Sequence, residues 1–169
     1  EGQLEGNLGF VADARRDGGE VVLGGNRAMT DTGGYYMEPT VVAGVQPTHR
    51  LFREEVFGPV LAVMRFDTLG EAVALVNQTG YGLTSGLESL DEREWDYWKK
   101  HIRAGNLYIN RVTTGAIVLR QPFGGMGKSG FGPGMKAGGP NYVAQFMDFE
   151  DMAAAPMDGV PFTQTLASL

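Results

Sequence analysis

Apolar side chains recur at helical spacing near the beginning of the chain. Leu4, Leu8, Val11 and Ala12 would share one face of a helix, and the turn-forming residues 17–19 (DGG) follow them. We therefore predict a first helix that ends at this turn, and a strand directly after it.

Two further helices are predicted in the middle of the chain, and each has a recognisable beginning. Thr68 and Glu71 form a capping box, which satisfies free N–H groups of the first turn, and Gly80 closes this helix. The next helix is predicted over residues 91–103, with Glu94 at the capping position. Its apolar side is formed by Trp95, Trp98 and Ile102.

In the segments between and after these helices, apolar residues either alternate with polar ones or form short continuous runs, and both patterns are typical of strands. Strands are predicted at residues 20–23, 35–42, 60–66, 83–88, 107–110 and 142–149. Pro39 marks an edge or an interruption, and the continuous apolar run of residues 60–66 is suited to a buried strand. Helices and strands that alternate over short connections predict an α/β fold with a mainly parallel sheet.

Composition and charge narrow the class of protein. Of the 169 residues, 43% are hydrophobic and 20% are charged, which is enough apolar material for one globular core. The net charge of −6 argues against a nucleic-acid or anionic-membrane surface, and no apolar run approaches the roughly 20 residues that span a bilayer. The chain has no cysteine, so it has no disulfide or cysteine nucleophile of its own. Because His49 and His101 are far apart in sequence, we expect no metal site.

Residues 122–134 (PFGGMGKSGFGPG) contain two nucleotide-binding signatures, G-x-G-x-x-G and the G-K-S end of a P-loop. Both signatures require a helix that begins at the last glycine, so that its free N–H groups face the phosphates. The following residues are rich in glycine and include Pro133 and Pro140, and Pro122 stands where a P-loop needs its first glycine. We therefore predict an irregular loop with several positive φ angles and no phosphate site.

Three stretches, taken together, resemble the aldehyde dehydrogenase superfamily. They are residues 52–60 (FREEVFGPV), 105–110 (GNLYIN) and 121–130 (QPFGGMGKSG), in this order and spacing. The resemblance is to the C-terminal part of the family's catalytic domain and covers most of the chain. Residues 110–118 (NRVTTGAIV) and 136–142 (KAGGPNY) are similar to the branch that oxidises glutamate γ-semialdehyde, the 1-pyrroline-5-carboxylate dehydrogenases. Members of this branch also occur as the second module of bifunctional proline utilization A proteins.

The resemblance implies covalent oxidation of an aldehyde with NAD as cofactor, and it leaves NADP open. In the family, a cysteine thiolate attacks the aldehyde, hydride passes to the nicotinamide, and a glutamate-activated water releases the acid. The cysteine, this base and the dinucleotide-binding domain all lie upstream of the stretch that the chain resembles. The chain opens at Glu1 without an initiator Met or a signal-peptide pattern, so we expect a cytoplasmic fragment that is inactive alone.

By resemblance, Glu55 and Phe57 contact the cofactor. The adjacent Glu54 and Glu55 point to opposite sides of an extended segment, so we expect one to face a site and Glu54 to be structural. The Glu55 carboxylate would accept two hydrogen bonds from the nicotinamide ribose, and Phe57 would pack beside the nicotinamide. Without the resemblance, the two carboxylates would be interpreted as part of a solvated loop.

By resemblance, Gly115 and Ala116 anchor the substrate, and Phe123 packs on its aliphatic part. Glutamate γ-semialdehyde carries an α-carboxylate, and successive backbone N–H groups in a turn bind such an anion. An ordinary turn between two strands is the alternative. Arg111 and Lys128 are expected to be surface or structural charges.

We expect residues 1–140 to form the C-terminal part of the catalytic domain, residues 141–150 an oligomerisation strand, and residues 151–169 a tail. The expected partners are a small-molecule aldehyde, the remainder of the catalytic domain and further copies of the chain. Two alternatives stay open: a naturally short, non-catalytic assembly subunit, and a dehydrogenase for another aldehyde such as succinate semialdehyde. The turn at residues 113–116 (TTGA) speaks against the second.

Overall fold

Four α-helices and seven short strands follow one another along the part of the chain that the structure describes. The computed structural model describes residues 1–117, 120–121, 123–130, 136–137 and 142–150. The helices are α1 (Gly2–Arg16), α2 (Arg50–Arg53), α3 (Leu69–Gln78) and α4 (Glu92–His101). The strands are β1 (Glu20–Leu23), β2 (Arg27–Ala28), β3 (Tyr36–Met37), β4 (Thr40–Ala43), β5 (Val60–Ala62), β6 (Thr84–Leu87) and β7 (Asn106–Ile109). Short 3-10 turns occupy Thr30–Thr32, Gly127–Ser129 and Val143–Phe146.

The three longer helices lie where the apolar pattern predicts them. α1 ends at Arg16, directly before the predicted turn. At the start of α3, the Thr68 hydroxyl accepts a hydrogen bond from the Glu71 N–H at 3.2 Å, and the Glu71 carboxylate accepts one from the Asp67 N–H at 2.9 Å. The predicted capping residues therefore satisfy two N–H groups at this helix end.

The start of α4 is held by Asp91, Ser89 and Glu94. The Asp91 carboxylate accepts a hydrogen bond from the Arg93 N–H at 2.9 Å, and the Arg93 guanidinium lowers the pKa of Asp91 to about 2. Glu94 accepts a hydrogen bond from the Ser89 hydroxyl, which in turn accepts one from the Asp91 N–H at 3.1 Å. Glu94, which was predicted at the capping position, thus reaches the Asp91 N–H through the Ser89 hydroxyl.

The strands form three small sheets. In the first, of order β1-β4-β5, β1 is antiparallel to β4 and β4 is parallel to β5. β2 and β3 form an antiparallel pair, and β6 and β7 form a parallel pair. The described part of the chain therefore has a mixed α/β fold, and the predicted parallel pairing holds for two of its four strand pairs. Pairs are parallel where a helix intervenes, as α2 does between β4 and β5, whereas the chain reaches β4 from β1 without a helix.

Within the described residues, two small hydrophobic cores hold the helices and sheets together. In the first, α1 packs on β4 and the segments that follow it, through the buried residues Phe10, Ala14, Val42, Val45 and Leu51. In the second, α3 and α4 pack together through Val73, Trp98 and Ile102. Leu87 and Ile109, from β6 and β7, lie against this second core. The end of the β6–β7 pair is thereby fixed by the two helices.

The predicted buried strand at residues 60–66 is shorter and more exposed than expected. β5 ends at Ala62, and it is an edge strand of its sheet. Leu61 is 60% exposed and Phe66 is 56% exposed. The continuous apolar run correctly indicates a strand, but nothing in the described part of the chain covers its second face.

In the single chain, the segment predicted as a strand at residues 142–149 does not pair with another described segment. Val143–Phe146 forms a 3-10 turn, in which Val143 is 65% exposed and Phe146 is 74% exposed. A strand needs a neighbouring strand to pair its N–H and C=O groups, and the described residues supply none to this segment. The predicted tail at residues 151–169 lies outside the described residues.

No helix in the described part of the chain has the length and apolar character needed to cross a membrane. No group of three or more histidine, aspartate or glutamate side chains in the same part is arranged to hold a metal ion.

Candidate functional site

A cavity of about 570 Å³ lies beside the beginning of β6. It is lined by residues 113–117 together with Leu83, Thr84, Gln121, Phe123 and Ala137. The three residues predicted to bind the substrate, Gly115, Ala116 and Phe123, all face this one space. Gly115 and Ala116 belong to the turn after β7, whereas Phe123 belongs to the glycine-rich loop. The fold therefore brings two segments of the chain to one space.

The backbone of Gly115 has a conformation that favours glycine. Its φ is +88°, and a Cβ added there would meet no atom within 4 Å. Glycine is therefore needed at this turn for its backbone angle and not for lack of room within the described residues.

The turn is fixed at its base by contacts with β6 and β7. Asn110 has a φ of +53°, its amide nitrogen donates to the Ser89 carbonyl at 2.8 Å, and its amide oxygen accepts from the Ser89 N–H at 2.9 Å. Gly86 leaves room for the Thr113 methyl group, because a Cβ there would lie 2.8 Å from it. Asn110 was not among the predicted site residues, although asparagine is one of the few residues besides glycine that adopt the left-handed conformation.

Phe123 is held by a backbone bridge to Ala137. The Phe123 N–H donates to the Ala137 carbonyl at 2.9 Å, and the Ala137 N–H donates to the Phe123 carbonyl at 2.8 Å. The next residue, Gly124, accepts at its carbonyl from the Asn106 side chain at 3.1 Å. The Lys136 ammonium also donates to the Gly105 carbonyl. These contacts fix Phe123 from both sides.

The glycine-rich loop has no free phosphate cradle in its described part. The Met126 N–H donates to the Gly82 carbonyl at 3.0 Å, and the Lys128 N–H donates to the Gly80 carbonyl at 2.9 Å. These N–H groups are therefore used within the chain, and no helix follows in the described residues beyond the turn Gly127–Ser129. The prediction that this loop is not a nucleotide site agrees with this geometry.

Lys128 and Arg111 each have a partner within the described part of the chain. The Lys128 ammonium donates to the Thr79 carbonyl at 2.9 Å and lies 4.9 Å from the centre of the Tyr81 ring. The Arg111 guanidinium lies 5.1 Å from the centre of the Tyr108 ring. Both contacts agree with the structural roles predicted for Lys128 and Arg111.

The predicted cofactor residues lie elsewhere, on the loop of residues 54–58 between α2 and β5. Glu55 is exposed, and the Phe57 side chain is 77% exposed. Neither residue lines the cavity beside β6. Within the described part of the chain, the structure therefore shows two separate places for the two sets of predicted residues.

Glu54 has the structural role that the sequence predicts. The Arg50 guanidinium donates to Glu54 at 3.0 Å and to Asp13 of α1 at 3.2 Å, and it lies 3.9 Å from the centre of the Phe10 ring. The Arg16 and Arg50 guanidiniums together lower the pKa of the Asp13 carboxyl. These contacts link the beginning of the loop to α1.

This fold and these segments define the class of protein. The chain belongs to the aldehyde dehydrogenase family, whose model matches residues 1–152.

Among the members of this family, the chain is similar to named dehydrogenases. It is 45% identical over 129 residues to 1-pyrroline-5-carboxylate dehydrogenase of Bacillus pumilus, a match that covers 76% of the chain and 24% of the relative. It is 41% identical over 140 residues to the enzyme of the same name from Bacillus cytotoxicus, covering 83% of the chain and 26% of the relative. The chain thus spans about a quarter of the length of these curated relatives.

Solved structures give the same picture. A 1-pyrroline-5-carboxylate dehydrogenase from Thermus with bound NAD superposes with a TM-score of 0.78 at 38% identity, over 86% of this chain and 27% of that one. An indole-3-acetaldehyde dehydrogenase in complex with NAD⁺ superposes with a TM-score of 0.73 at 36% identity, over 80% of this chain and 27% of that one. The described fold is therefore that of a segment of the aldehyde dehydrogenase fold.

Proposed function

We propose that this chain is the C-terminal part of the catalytic domain of an NAD-dependent dehydrogenase that oxidises glutamate γ-semialdehyde to glutamate. The observation that carries the proposal is the cavity in which Gly115, Ala116 and Phe123 meet. The names of the Bacillus and Thermus relatives support the same reaction.

In this proposal, the turn at Gly115 and Ala116 binds the α-carboxylate of the substrate. Neither of their N–H groups donates a hydrogen bond to another described residue, and in this proposal both donate to the carboxylate. Backbone donors that are already oriented bind a carboxylate with little rearrangement. Phe123, across the cavity, packs on the methylene groups between the carboxylate and the aldehyde.

Glu55 and Phe57 bind the nicotinamide half of the cofactor in the same proposal. When bound, NAD accepts the hydride that leaves the aldehyde carbon. The Glu55 carboxylate accepts hydrogen bonds from the ribose hydroxyls, and the Phe57 ring packs beside the nicotinamide. Their exposure in the described part of the chain supports this role, because both side chains are accessible to a ligand.

Glu55→Gln is expected to weaken NAD binding and slow hydride transfer in the full-length dehydrogenase that contains this segment. Replacing a charged acceptor by a neutral one costs about 1–2 kcal/mol at the ribose, and a small displacement of the nicotinamide is expensive for catalysis. NAD affinity and single-turnover hydride transfer are the measurements.

The neighbouring Glu54→Gln is the matched control, because Glu54 is paired with Arg50. It weakens only a contact that holds the loop, so both quantities should change clearly less than in Glu55→Gln. If the two substitutions have equal effects, Glu55 has no special role at the cofactor.

The chain contains no cysteine, so the nucleophile of the covalent mechanism is proposed to come from the rest of the catalytic domain. The full-length dehydrogenase is expected to produce NADH from NAD and glutamate γ-semialdehyde. The 169-residue chain alone is expected to produce none above background. NADH absorbance measures both, and a clear rate from the chain alone contradicts the proposal.

We propose further that residues 142–150 pair with a second copy of the chain. Phe146 is 74% exposed and Phe149 is 79% exposed. Apolar side chains at this exposure are typical of a surface that another chain covers. Pairing would also supply the strand neighbour that the segment lacks within the described residues.

A further inference from the structure

A polar contact that is partly buried joins α1 to the loop of residues 54–58. Asn7 is only 5% exposed, and its amide nitrogen lies 3.5 Å from the Phe57 carbonyl oxygen. The Gln3 amide nitrogen, one turn earlier, donates to that same carbonyl at 2.9 Å and to the Asn7 amide oxygen at 3.0 Å. The Phe57 carbonyl oxygen thus lies beside two side-chain amide groups that are also hydrogen-bonded to each other.

We propose that Asn7, acting with Gln3, is a positioning residue that sets the place of Glu55 and Phe57. This inference rests on the proposed function, in which those two residues bind the nicotinamide half of NAD. Asn7 touches neither the substrate nor the cofactor in this proposal, and it acts only through the backbone of the loop.

The packing at Gly58 supports a close fit between Asn7 and the loop. A Cβ added to Gly58 would lie 1.9 Å from the Asn7 amide nitrogen. Gly58 is not among the glycines with positive φ, so its backbone is one that other residues adopt. Glycine is required at this position because the Asn7 side chain occupies the space, and the two residues are therefore coupled.

α1 also holds the other end of the loop. Asp13, almost two turns after Asn7, receives a hydrogen bond from Arg50 at 3.2 Å, and Arg50 donates to Glu54 at 3.0 Å. Residues 54 and 57 are thus both tied to one rigid helix, while the Glu55 and Phe57 side chains remain exposed. A loop held at both ends by a helix presents its intervening side chains in a fixed geometry, which is what binding of a ribose and a nicotinamide ring requires.

Asn7→Leu tests the inference in the full-length dehydrogenase, because leucine has the same branched shape and carries two methyl groups in place of the amide oxygen and nitrogen. We expect the Kd for NAD to rise roughly tenfold, since misplaced contacts at a reacting centre are expensive, while the KM for the aldehyde changes little. Glu5→Gln, on the exposed side of α1, is the control and should leave both values unchanged. A merely structural role for Asn7 would lower the unfolding temperature without this separation between NAD and aldehyde.

Gly58→Ala gives a second, steric test of the same contact. Alone it should raise the Kd for NAD, because its methyl group displaces the loop from Asn7. Combined with Asn7→Ala, which makes room for that methyl group, it should add little to the effect of Asn7→Ala alone. If the effects of the two substitutions on the Kd for NAD are additive, the two residues act independently, and the inference is overturned.

Hydrogen exchange separates failure of this inference from failure of the proposed function. Amide exchange of residues 54–60 in the full-length protein should be faster in Asn7→Leu than in wild type, while exchange of β7 stays the same. If the wild-type enzyme oxidises no aldehyde with NAD, the proposed function is wrong. If exchange in the loop and the Kd for NAD are unchanged in Asn7→Leu, the positioning role is wrong and the proposed function is unaffected.

Discussion

Gly115→Val is expected to lower kcat/KM for glutamate γ-semialdehyde by at least about 30-fold in the full-length dehydrogenase. A carboxylate that loses its donors in a partly buried pocket loses about 1–3 kcal/mol for each missing hydrogen bond, and the turn is proposed to supply two. A loss of about 1.4 kcal/mol corresponds to a factor of ten. At about 1 kcal/mol for each of the two hydrogen bonds, the lost binding energy corresponds to a factor of about 30.

The reason for the loss lies in the backbone of the turn. Gly115 has a φ of +88°, which a β-branched residue strongly resists. Valine would therefore rotate the peptide groups on either side, and the N–H groups of Gly115 and Ala116 would no longer point at one place. The Cβ itself meets no described atom within 4 Å, so the effect comes from the angle and from the side chain entering the cavity.

Two comparisons make the result specific. Ala116→Ser keeps the backbone donor and should be tolerated. Propanal, which has no carboxylate, should be oxidised by Gly115→Val nearly as well as by wild type. The measurement is kcat/KM for both aldehydes in the wild type and in both variants. If propanal and glutamate γ-semialdehyde lose equally, the turn is an ordinary structural one, and the assignment of the substrate loses its physical support.

Elements that depend on local sequence were predictable. The capping pair Thr68 and Glu71 and the capping residue Asp91 mark the starts of α3 and α4, because the groups that end a helix are close in sequence to the N–H groups that they satisfy. The strands β1, β6 and β7 also lie where the pattern places them. The mixture of parallel and antiparallel pairs was not predictable from the pattern, since direction depends on which strands become neighbours.

The two predicted strands that differ from the structure show the same limit. Residues 60–66 and 142–149 have the apolar content of strands, but exposure and pairing are set by what lies beside them. In the described part of the chain, β5 is covered on one face by the first core, and residues 142–149 have no strand to pair with. Apolar periodicity indicates a tendency, and only a neighbour converts it into a buried strand.

The roles of the candidate site residues stay predictions, but their places in the structure can be compared with the sequence. Resemblance pointed to Gly115, Ala116 and Phe123, and the structure places these three around one cavity. The resemblance did not indicate Asn7, because a hydrogen bond between residues 50 positions apart leaves no local sequence pattern. The one feature of α1 that pointed to Asn7 is a polar side chain on a buried face that is otherwise formed by Leu4, Phe10, Val11 and Ala14.

Gly105→Ala is expected to destabilise the chain by about 3 kcal/mol, because the added methyl group meets backbone and not a movable side chain. A Cβ at Gly105 would lie 1.8 Å from the Gly124 carbonyl oxygen. That oxygen is held at 3.1 Å by the Asn106 side chain, which also donates to the Leu83 carbonyl at 3.0 Å. Relief of the clash therefore requires the glycine-rich loop to move away from β6 and β7 as a unit.

The measurement is urea unfolding of the chain, followed by the fluorescence of Trp95 and Trp98 in α4, directly before Gly105. Gly6→Ala is the matched control: it lies within α1, its Cβ meets no atom within 4 Å, and it should stabilise by roughly 0.5–1 kcal/mol. Because Phe123 is next to Gly124, movement of the loop in Gly105→Ala should also enlarge the cavity and weaken substrate binding in the full-length enzyme. If Gly105→Ala has the same urea midpoint of unfolding as the wild type, the loop adapts freely to the added methyl group. The close backbone packing at Gly105 would then not be what holds Phe123 in place.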